Sequence, residues 1–301
     1  MAVRTLDSPP SILPLYARAA LPMIPGASLL PFVPGRGKEI PEIELELTGV
    51  RAEPATVAAY SRVCGFALRD HLPPTYPQVL AFPLQMAVMA DGSFPFGAVG
   101  LVHVENRIEQ LRPIGLGEEL ILRVRPTALE PHPRGRTFSL VTEARAGGEL
   151  AWKSVSTMLR RGGGEPAAAG KRKDEGLDLE ASAEWKLGDD LGRRYAAVSG
   201  DRNPIHMHAL TAKPLGFPRA IAHGMWTKAR CLASLESRLP DAFDVEVRFR
   251  KPILLPARVE FASATRGDSV EFAVRDAKRQ TPHLDGRVRP LGPSPKAGRS
   301  N

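Results

Sequence analysis

Cysteine is nearly absent: the 301-residue chain has two, Cys64 and Cys231. Two thiols make neither a disulfide framework nor a cysteine metal cluster, and they suit a reducing cytoplasm. Aromatic residues are scarce at 6%, which leaves no basic-aromatic stripe of the kind that binds nucleic acid. An unbroken apolar run is missing as well, whereas a membrane-spanning helix takes roughly 20 apolar residues. The nearest candidate, residues 13–33, is interrupted by Arg18 and four prolines. Asp7, Pro9 and Pro10 precede it, where a signal peptide would have a basic start. This segment reads as a short helix followed by a proline-rich strap packed on the domain.

What is present is ordinary for a globular protein. The chain is 43% hydrophobic and 25% charged, and its length allows about two domains. The net charge of +8 attracts polyanions, among them the phosphates of coenzyme A or an acidic carrier protein. Much of the excess lies in a linker and a tail, so solvated surface charge is the simpler reading. Nucleic acid is not expected as a partner.

The stretch RGGGEPAAAGKRKDEG divides the chain near its middle. It is rich in Gly, Ala and charge and poor in anything that packs. The expected layout is an N-terminal unit (1–160), a linker (161–178), a C-terminal unit (179–291) and a disordered tail (292–301). The units resemble each other. Tyr60-Ser-Arg-Val-Cys-Gly65 matches Tyr195-Ala-Ala-Val-Ser-Gly200, and Glu105-Asn-Arg107 echoes Glu246-Val-Arg248. The first pair lies 135 residues apart and the second 141, falling to 139 where Arg112-Pro113-Ile114 echoes Lys251-Pro252-Ile253, the sign of an internal duplication.

In the second unit, Arg219 to Leu239 reads as a helix, because Met225, Ala229, Leu232, Leu235 and Leu239 recur at three- and four-residue steps. Strands follow at residues 245–250, 257–262, 270–275 and 284–288. The first unit shows strands at 103–108, 120–124, 138–144 and 152–159, with a looser helix around Leu80 to Met89. A helix followed by antiparallel strands is an α+β layout, and two such units could pair side by side and cover each other's edges.

The sharpest segment is Gly200-Asp201-Arg202-Asn203-Pro204-Ile205-His206. Gly200 and Pro204 restrict the backbone in opposite ways, so it reads as a shaped loop that aims Asp201 and His206 at one point. A carboxylate and an imidazole around one water can take a proton from it and return one to carbon. The bland alternative makes Asp201 and Asn203 turn formers and His206 a surface residue. A second feature weighs against that. Ala222-His223-Gly224-Met225-Trp226 stands near the start of the apolar helix, where free N–H groups favour negative charge. There the N–H of Gly224 could hold an oxygen on which negative charge develops.

The string SGDRNPIH followed by GFPRAIAHGM resembles the signature of the MaoC-like (R)-specific enoyl-thioester hydratases. Through the duplicated layout and the phrase GLVHVENRIEQLRPI, the chain resembles the two-hot-dog (3R)-hydroxyacyl-thioester dehydratases. The resemblance implies a double hot-dog fold and reversible dehydration of (3R)-hydroxyacyl thioesters to trans-2-enoyl thioesters. It implies an acyl-CoA or acyl-carrier-protein substrate, no cofactor and no metal. By position, Asp201 and His206 are the implied catalytic pair. Asn203 holds the loop and the water, Ser199 lines the site and Gly224 supplies the oxyanion N–H. His208 is expected to be exposed, His223 to be structural and Cys231 to be core.

The first unit departs from the pattern. Asp70 and His71 are adjacent after Gly65, and Phe82-Pro83-Leu84 stands where the second unit has His-Gly-Met. This half is expected to have no chemistry and to accommodate the acyl chain, with Met86, Met89, Phe94 and Phe96 as candidate lining. The rival readings are an acyl-thioester hydrolase and a non-catalytic acyl-thioester-binding subunit. A cytoplasmic pseudo-dimeric monomer or a homodimer is expected.

Overall fold

A computed structural model describes residues 2–21, 39–98, 100–162 and 176–292. The expected strap after residue 21, most of the linker and the tail lie outside the described residues. In chain order the elements are β1 (Ala2–Leu6), α1 (Ile12–Ala20), β2 (Ile43–Arg51), α2 (Pro54–Cys64), α3 (Tyr76–Met89), β3 (Val102–Gln110), β4 (Glu119–Pro126), β5 (Glu130–His132), β6 (Gly135–Ala146) and β7 (Glu149–Arg161). The second half follows with β8 (Ala181–Leu187), α4 (Leu191–Ser199), α5 (Pro204–Met207), α6 (Ala209–Ala212), α7 (Gly224–Ser234), β9 (Phe243–Phe249), β10 (Ala257–Arg266), β11 (Ser269–Asp276) and β12 (Pro282–Pro290). No helix among the described residues is long and apolar enough to cross a membrane.

One twelve-stranded sheet runs through the molecule in the order β1-β2-β4-β6-β7-β3-β9-β12-β11-β10-β8, with β5 paired to β6. The five strands β2, β4, β6, β7 and β3 and the five strands β8, β10, β11, β12 and β9 repeat one connectivity, turned end to end. The second strand of each half, β3 and β9, meets its counterpart at the seam. There the repeated Glu-x-Arg triplets lie antiparallel, Glu105 opposite Arg248 and Arg107 opposite Glu246. The pairing sets opposite charges across from each other, and Arg248 Nε stands 3.0 Å from Glu105 Oε1. Each half therefore closes the other's sheet edge, in keeping with the α+β double hot-dog expectation.

The second repeat has the same logic. α2 and α4 both end on a left-handed glycine, Gly65 at φ 87° and Gly200 at φ 77°, the conformation a helix C-cap asks of glycine. Their tyrosines meet, with the Tyr60 and Tyr195 rings 6.0 Å apart. α1 is the expected short N-terminal helix. Before it, β1 adds a parallel edge strand to β2, which carries the N-terminal arm across the first half.

Three boundaries differ from the sequence reading. The helix expected over 219–239 begins at Gly224 and ends at Ser234, with a 3₁₀ turn at Glu236–Arg238. Residues 221–222 are extended instead, because Ile221 bridges Leu254 and the Ala222 N–H donates to Ile253 O. β7 runs through Arg161, the first residue of the expected linker. At the linker's other end, the Leu177 N–H donates to Asp285 Oδ1 at 3.1 Å, so this residue is part of the C-terminal fold.

Candidate active site

α4 delivers the site. It stops at Gly200, and the chain turns through Asp201 and Arg202 to Asn203, whose side chain caps α5 by accepting the Ile205 N–H at 3.4 Å. Pro204 occupies the first helical position, where its missing N–H costs nothing. The expected continuous loop is thus three residues of loop and one helical turn, and His206 sits on that turn. α4 lies close against it: a Cβ on Gly192 would stand 1.9 Å from His206 O. The sequence reading did not single out Gly192, although only glycine allows this approach.

Three hydrogen bonds hold the Asp201 loop. The Asp201 N–H donates to Ser199 Oγ at 3.2 Å, and Asp201 Oδ1 accepts the Asn203 N–H at 3.1 Å and the Tyr16 hydroxyl at 2.9 Å. The Tyr16 oxygen also accepts the Arg202 N–H at 2.7 Å. Tyr16 lies on α1, 185 residues away in sequence. No local pattern in the chain announces this contact, and the sequence reading missed it.

His206 is buried. Its Nδ1 lies 2.8 Å from Ile221 O, and a carbonyl only accepts, so Nδ1 carries the proton and Nε2 keeps a lone pair. His223, the N-cap residue of α7, stacks on it with ring centroids 3.6 Å apart. His223 Nε2 donates to Asp201 O at 3.0 Å and stands 3.8 Å from Asp201 Oδ2. Asp201, His206 and His223 thus bring side-chain nitrogen and oxygen atoms within 4.8 Å of one another. His223 Nδ1 is buried and has no partner among the described residues. Sequence had assigned His223 a structural role. It forms a wall of the site, and its place beside Gly224 was the available signal.

The charges follow from this packing. Burial pushes His206 below the ordinary histidine range, and Asp201 and the Ile221 carbonyl only partly restore it. Burial, with the neighbouring His206, takes His223 down to about 3. Burial raises the Asp201 carboxyl, but the two histidines, the Asn203 N–H and the Tyr16 hydroxyl together bring it below the usual carboxylate value. At neutral pH the site is one carboxylate beside two stacked, neutral imidazoles. Two of the ring nitrogens are already engaged, His206 Nδ1 by Ile221 O and His223 Nε2 by Asp201 O.

A cavity of about 200 Å³ opens onto the group and is also lined by Ser199, Asn203, Gly224 and Met225. Gly224 starts α7, so its N–H has no intrahelical acceptor. Its missing Cβ leaves room beside Phe249, whose ring a side chain would meet at 3.0 Å. All five sequence-predicted site residues, Asp201, His206, Gly224, Ser199 and Asn203, therefore line one cavity. His208 is exposed and Cys231 is core. Of the four residues expected to line an acyl channel in the first half, Met89 does. Met86, Phe94 and Phe96 are packed in the core instead.

Residues 172–286 match the family model described as MaoC like domain. The chain is 40% identical over 269 residues to 3-hydroxyacyl-thioester dehydratase X of Mycobacterium tuberculosis, covering 88% of this chain and 95% of that protein. The crystal structure of that protein, HtdX, superposes with a TM-score of 0.74 at 38% identity, over 82% of this chain and 100% of that one. A second M. tuberculosis protein, described as having a double hotdog fold, matches with a TM-score of 0.51 at 15% identity, over 84% of this chain and 95% of that one.

Two outcomes are expected. Gly192→Ala should displace the His206 turn and lower both activity and melting temperature, whereas an unchanged turnover would show that the turn can yield. Tyr16→Phe removes a donor that favours the Asp201 carboxylate, so the carboxyl rises. Activity that needs the carboxylate is lost on acidification, and the acid limb of the kcat/KM–pH profile should therefore move to higher pH. A profile identical to wild type would count against the contact.

Proposed function

The chain belongs to the MaoC-like dehydratases and acts on an acyl thioester, and from this premise we propose that it interconverts (3R)-hydroxyacyl thioesters and trans-2-enoyl thioesters without a cofactor or metal. The observation that carries the reading is that Asp201 and His206 line one cavity together with Gly224, whose N–H has no intrahelical acceptor.

In the hydration direction, a water sits between the carboxylate and the imidazole. Asp201 Oδ2 accepts one of its hydrogens and fixes its orientation. His206 Nε2 takes the other as hydroxide adds to C3. Negative charge moves through the double bond to the thioester oxygen, where the Gly224 N–H and the start of α7 stabilise it. His206 then delivers its proton from Nε2 to C2. Dehydration runs the same steps backwards: His206 removes the C2 proton, and the protonated ring gives it to the departing C3 hydroxyl, which leaves as water. A neutral resting imidazole is what both directions need, and burial keeps it neutral. Asn203 and Ser199 hold the loop that presents Asp201.

The (3R) configuration is what the signature around Asp201 and His206 implies. Exposed Arg134, Arg161 and Lys251 also border the cavity. This cationic rim suits the phosphates of coenzyme A or of a carrier-bound pantetheine. Such a substrate places the reaction in the cytoplasm. The two halves already supply the pairing that hot-dog units need, so a pseudo-dimeric monomer suffices, and a homodimer is equally compatible.

The test is loss of enoyl-thioester absorbance with crotonyl-CoA, together with the stereochemistry of the product. Asp201→Asn and His206→Ala should each lower kcat by about 10²–10⁴-fold, the usual range for a general acid–base group, while the protein stays folded. A double variant that keeps more than about a tenth of wild-type turnover would exclude this chemistry. Thiol release in place of hydration would point to hydrolysis.

A further inference from the structure

A lysine stands in the middle of the catalytic helix, sealed from water. Lys228 lies one turn after Gly224 on α7 and is 0% exposed. Its Nζ donates to three oxygens: Asn106 Oδ1 at 2.6 Å, Val245 O at 3.1 Å and Asn106 O at 3.2 Å. Asn106 is on β3 and Val245 on β9, so these bonds tie α7 to both strands of the seam. The next layer orients the asparagine. Its Nδ2 donates to Ser154 Oγ at 2.9 Å and to Ser156 Oγ at 3.0 Å, which leaves Oδ1 toward the lysine. The row runs on to α3. There Gln78 Nε2 donates to Ser156 Oγ at 3.3 Å and to Gln85 Oε1 at 3.1 Å, and Gln85 Nε2 donates to Thr142 Oγ1 at 2.9 Å. A line of buried hydrogen bonds thus crosses from the catalytic helix into the first half.

Packing alone does not call for a lysine at this point. An apolar side chain of similar length fills the same space without desolvating a polar head, and such replacements are often neutral or stabilising. What the lysine adds is direction. An apolar helix face can shift on a sheet while keeping most of its contacts, whereas hydrogen bonds weaken steeply once their short range is exceeded. One residue of slip along α7 would be about 1.5 Å, enough to break all three bonds at once. Other ties from this helix are single bonds: Trp226 Nε1 donates to Val63 O at 3.0 Å, and the capping His223 Nε2 to Asp201 O at 3.0 Å. Gly224, at the start of the same rigid element, carries the free N–H.

We propose that Lys228 is a positioning residue: by fixing the depth and rotation of α7 on the β3–β9 seam, it holds the Gly224 N–H in register with the thioester oxygen. The proposal rests on the thioester reading above and identifies what in the fold sets the oxyanion donor. Lys228 is not among the residues that line the cavity, so it acts through α7 and not by touching the substrate.

The experiment pairs crotonyl-CoA kinetics with infrared spectra of bound butanoyl-CoA labelled with carbon-13 at the thioester carbonyl. This saturated thioester binds without reacting, and its carbonyl band moves to lower wavenumber as the oxygen accepts a better hydrogen bond. Lys228→Met is close in length and keeps the apolar contact of the helix. It should lower kcat by about tenfold to 10²-fold, the scale of a displacement of about 1 Å, with a much smaller change in KM. The carbonyl band should move to higher wavenumber. The single variant strands three buried acceptors and should also melt lower. In Lys228→Met/Asn106→Leu the asparagine side chain is removed as well, so melting temperature should rise again without recovery of kcat or of the wild-type band. A single variant that keeps wild-type kcat and an unmoved band below its melting temperature overturns the proposal, as does a double variant that regains both. If the single variant does not fold, the double variant decides. Wild-type hydration of crotonyl-CoA that Lys228→Met leaves unchanged removes this inference and keeps the dehydratase reading. A wild-type protein that hydrates no enoyl thioester, yet whose carbonyl band rises in Lys228→Met, does the reverse.

Discussion

In the proposed reaction the imidazole of His206 acts as a base only while its Nδ1 proton is held by Ile221 O, 2.8 Å away. That one bond selects the tautomer, leaves the Nε2 lone pair free and keeps the ring from rotating. Much of the surrounding backbone serves to hold the accepting carbonyl in place. Ile221 is tied back through its own N–H to Ile205 O, the neighbour of His206, and the next N–H, of Ala222, is tied to Ile253 O. These bonds keep the segment before α7 extended. They also explain why α7 starts at Gly224, where the free N–H is needed, and not five residues earlier.

Around this bond the electrostatics are arranged by burial more than by ion pairing. Two histidines lie beside a carboxylate, yet desolvation keeps both neutral. The carboxylate is stabilised by an N–H, a tyrosine hydroxyl and the imidazole pair. Asymmetry in these contacts divides its two oxygens. Oδ1 is occupied by the Tyr16 hydroxyl and the Asn203 N–H, and Oδ2 is left toward the histidines. The N-terminal arm therefore does more than cover the sheet edge. It reaches 185 residues along the chain to decide which carboxylate oxygen is available.

The sequence displayed those parts of this design that are local. Asp201, Asn203 and His206 fall within six residues, and the glycine and proline between and beside them report a shaped backbone. The Tyr-x-x-Val-x-Gly and Glu-x-Arg repeats mark the duplication, and the register Glu105 opposite Arg248 is its physical consequence. What could not be read was whatever depends on distant packing. Tyr16 has no spacing relation to Asp201. Gly192 reads as a helix-weakening residue until His206 O lies against it. The face of α3 reads as a loose apolar helix, because a period counts Gln78 and Gln85 as polar positions and so turns them toward solvent. Their burial follows from Ser156, Thr142 and Asn106 on the facing strands, which offer the partners that make buried amides tolerable. Lys228 escaped for the same reason: a lysine on a core helix is expected outside.

The duplication explains how such a row can exist beside an active site. In the first half, the positions after Gly65 carry Asp70 and His71 side by side, with the Asp70 carboxyl bonded to its neighbour's ring at 3.0 Å and almost wholly in solvent. The first half completes the sheet at the β3–β9 seam, walls part of the cavity and, through Tyr16, holds Asp201 Oδ1. The Ile221 carbonyl fixes one arrangement of His206, and the first-half residues that line the cavity lie outside that constraint. Lys228 joins the two halves, its Nζ carried by α7 and its acceptors, Asn106 and Val245 O, on the two seam strands.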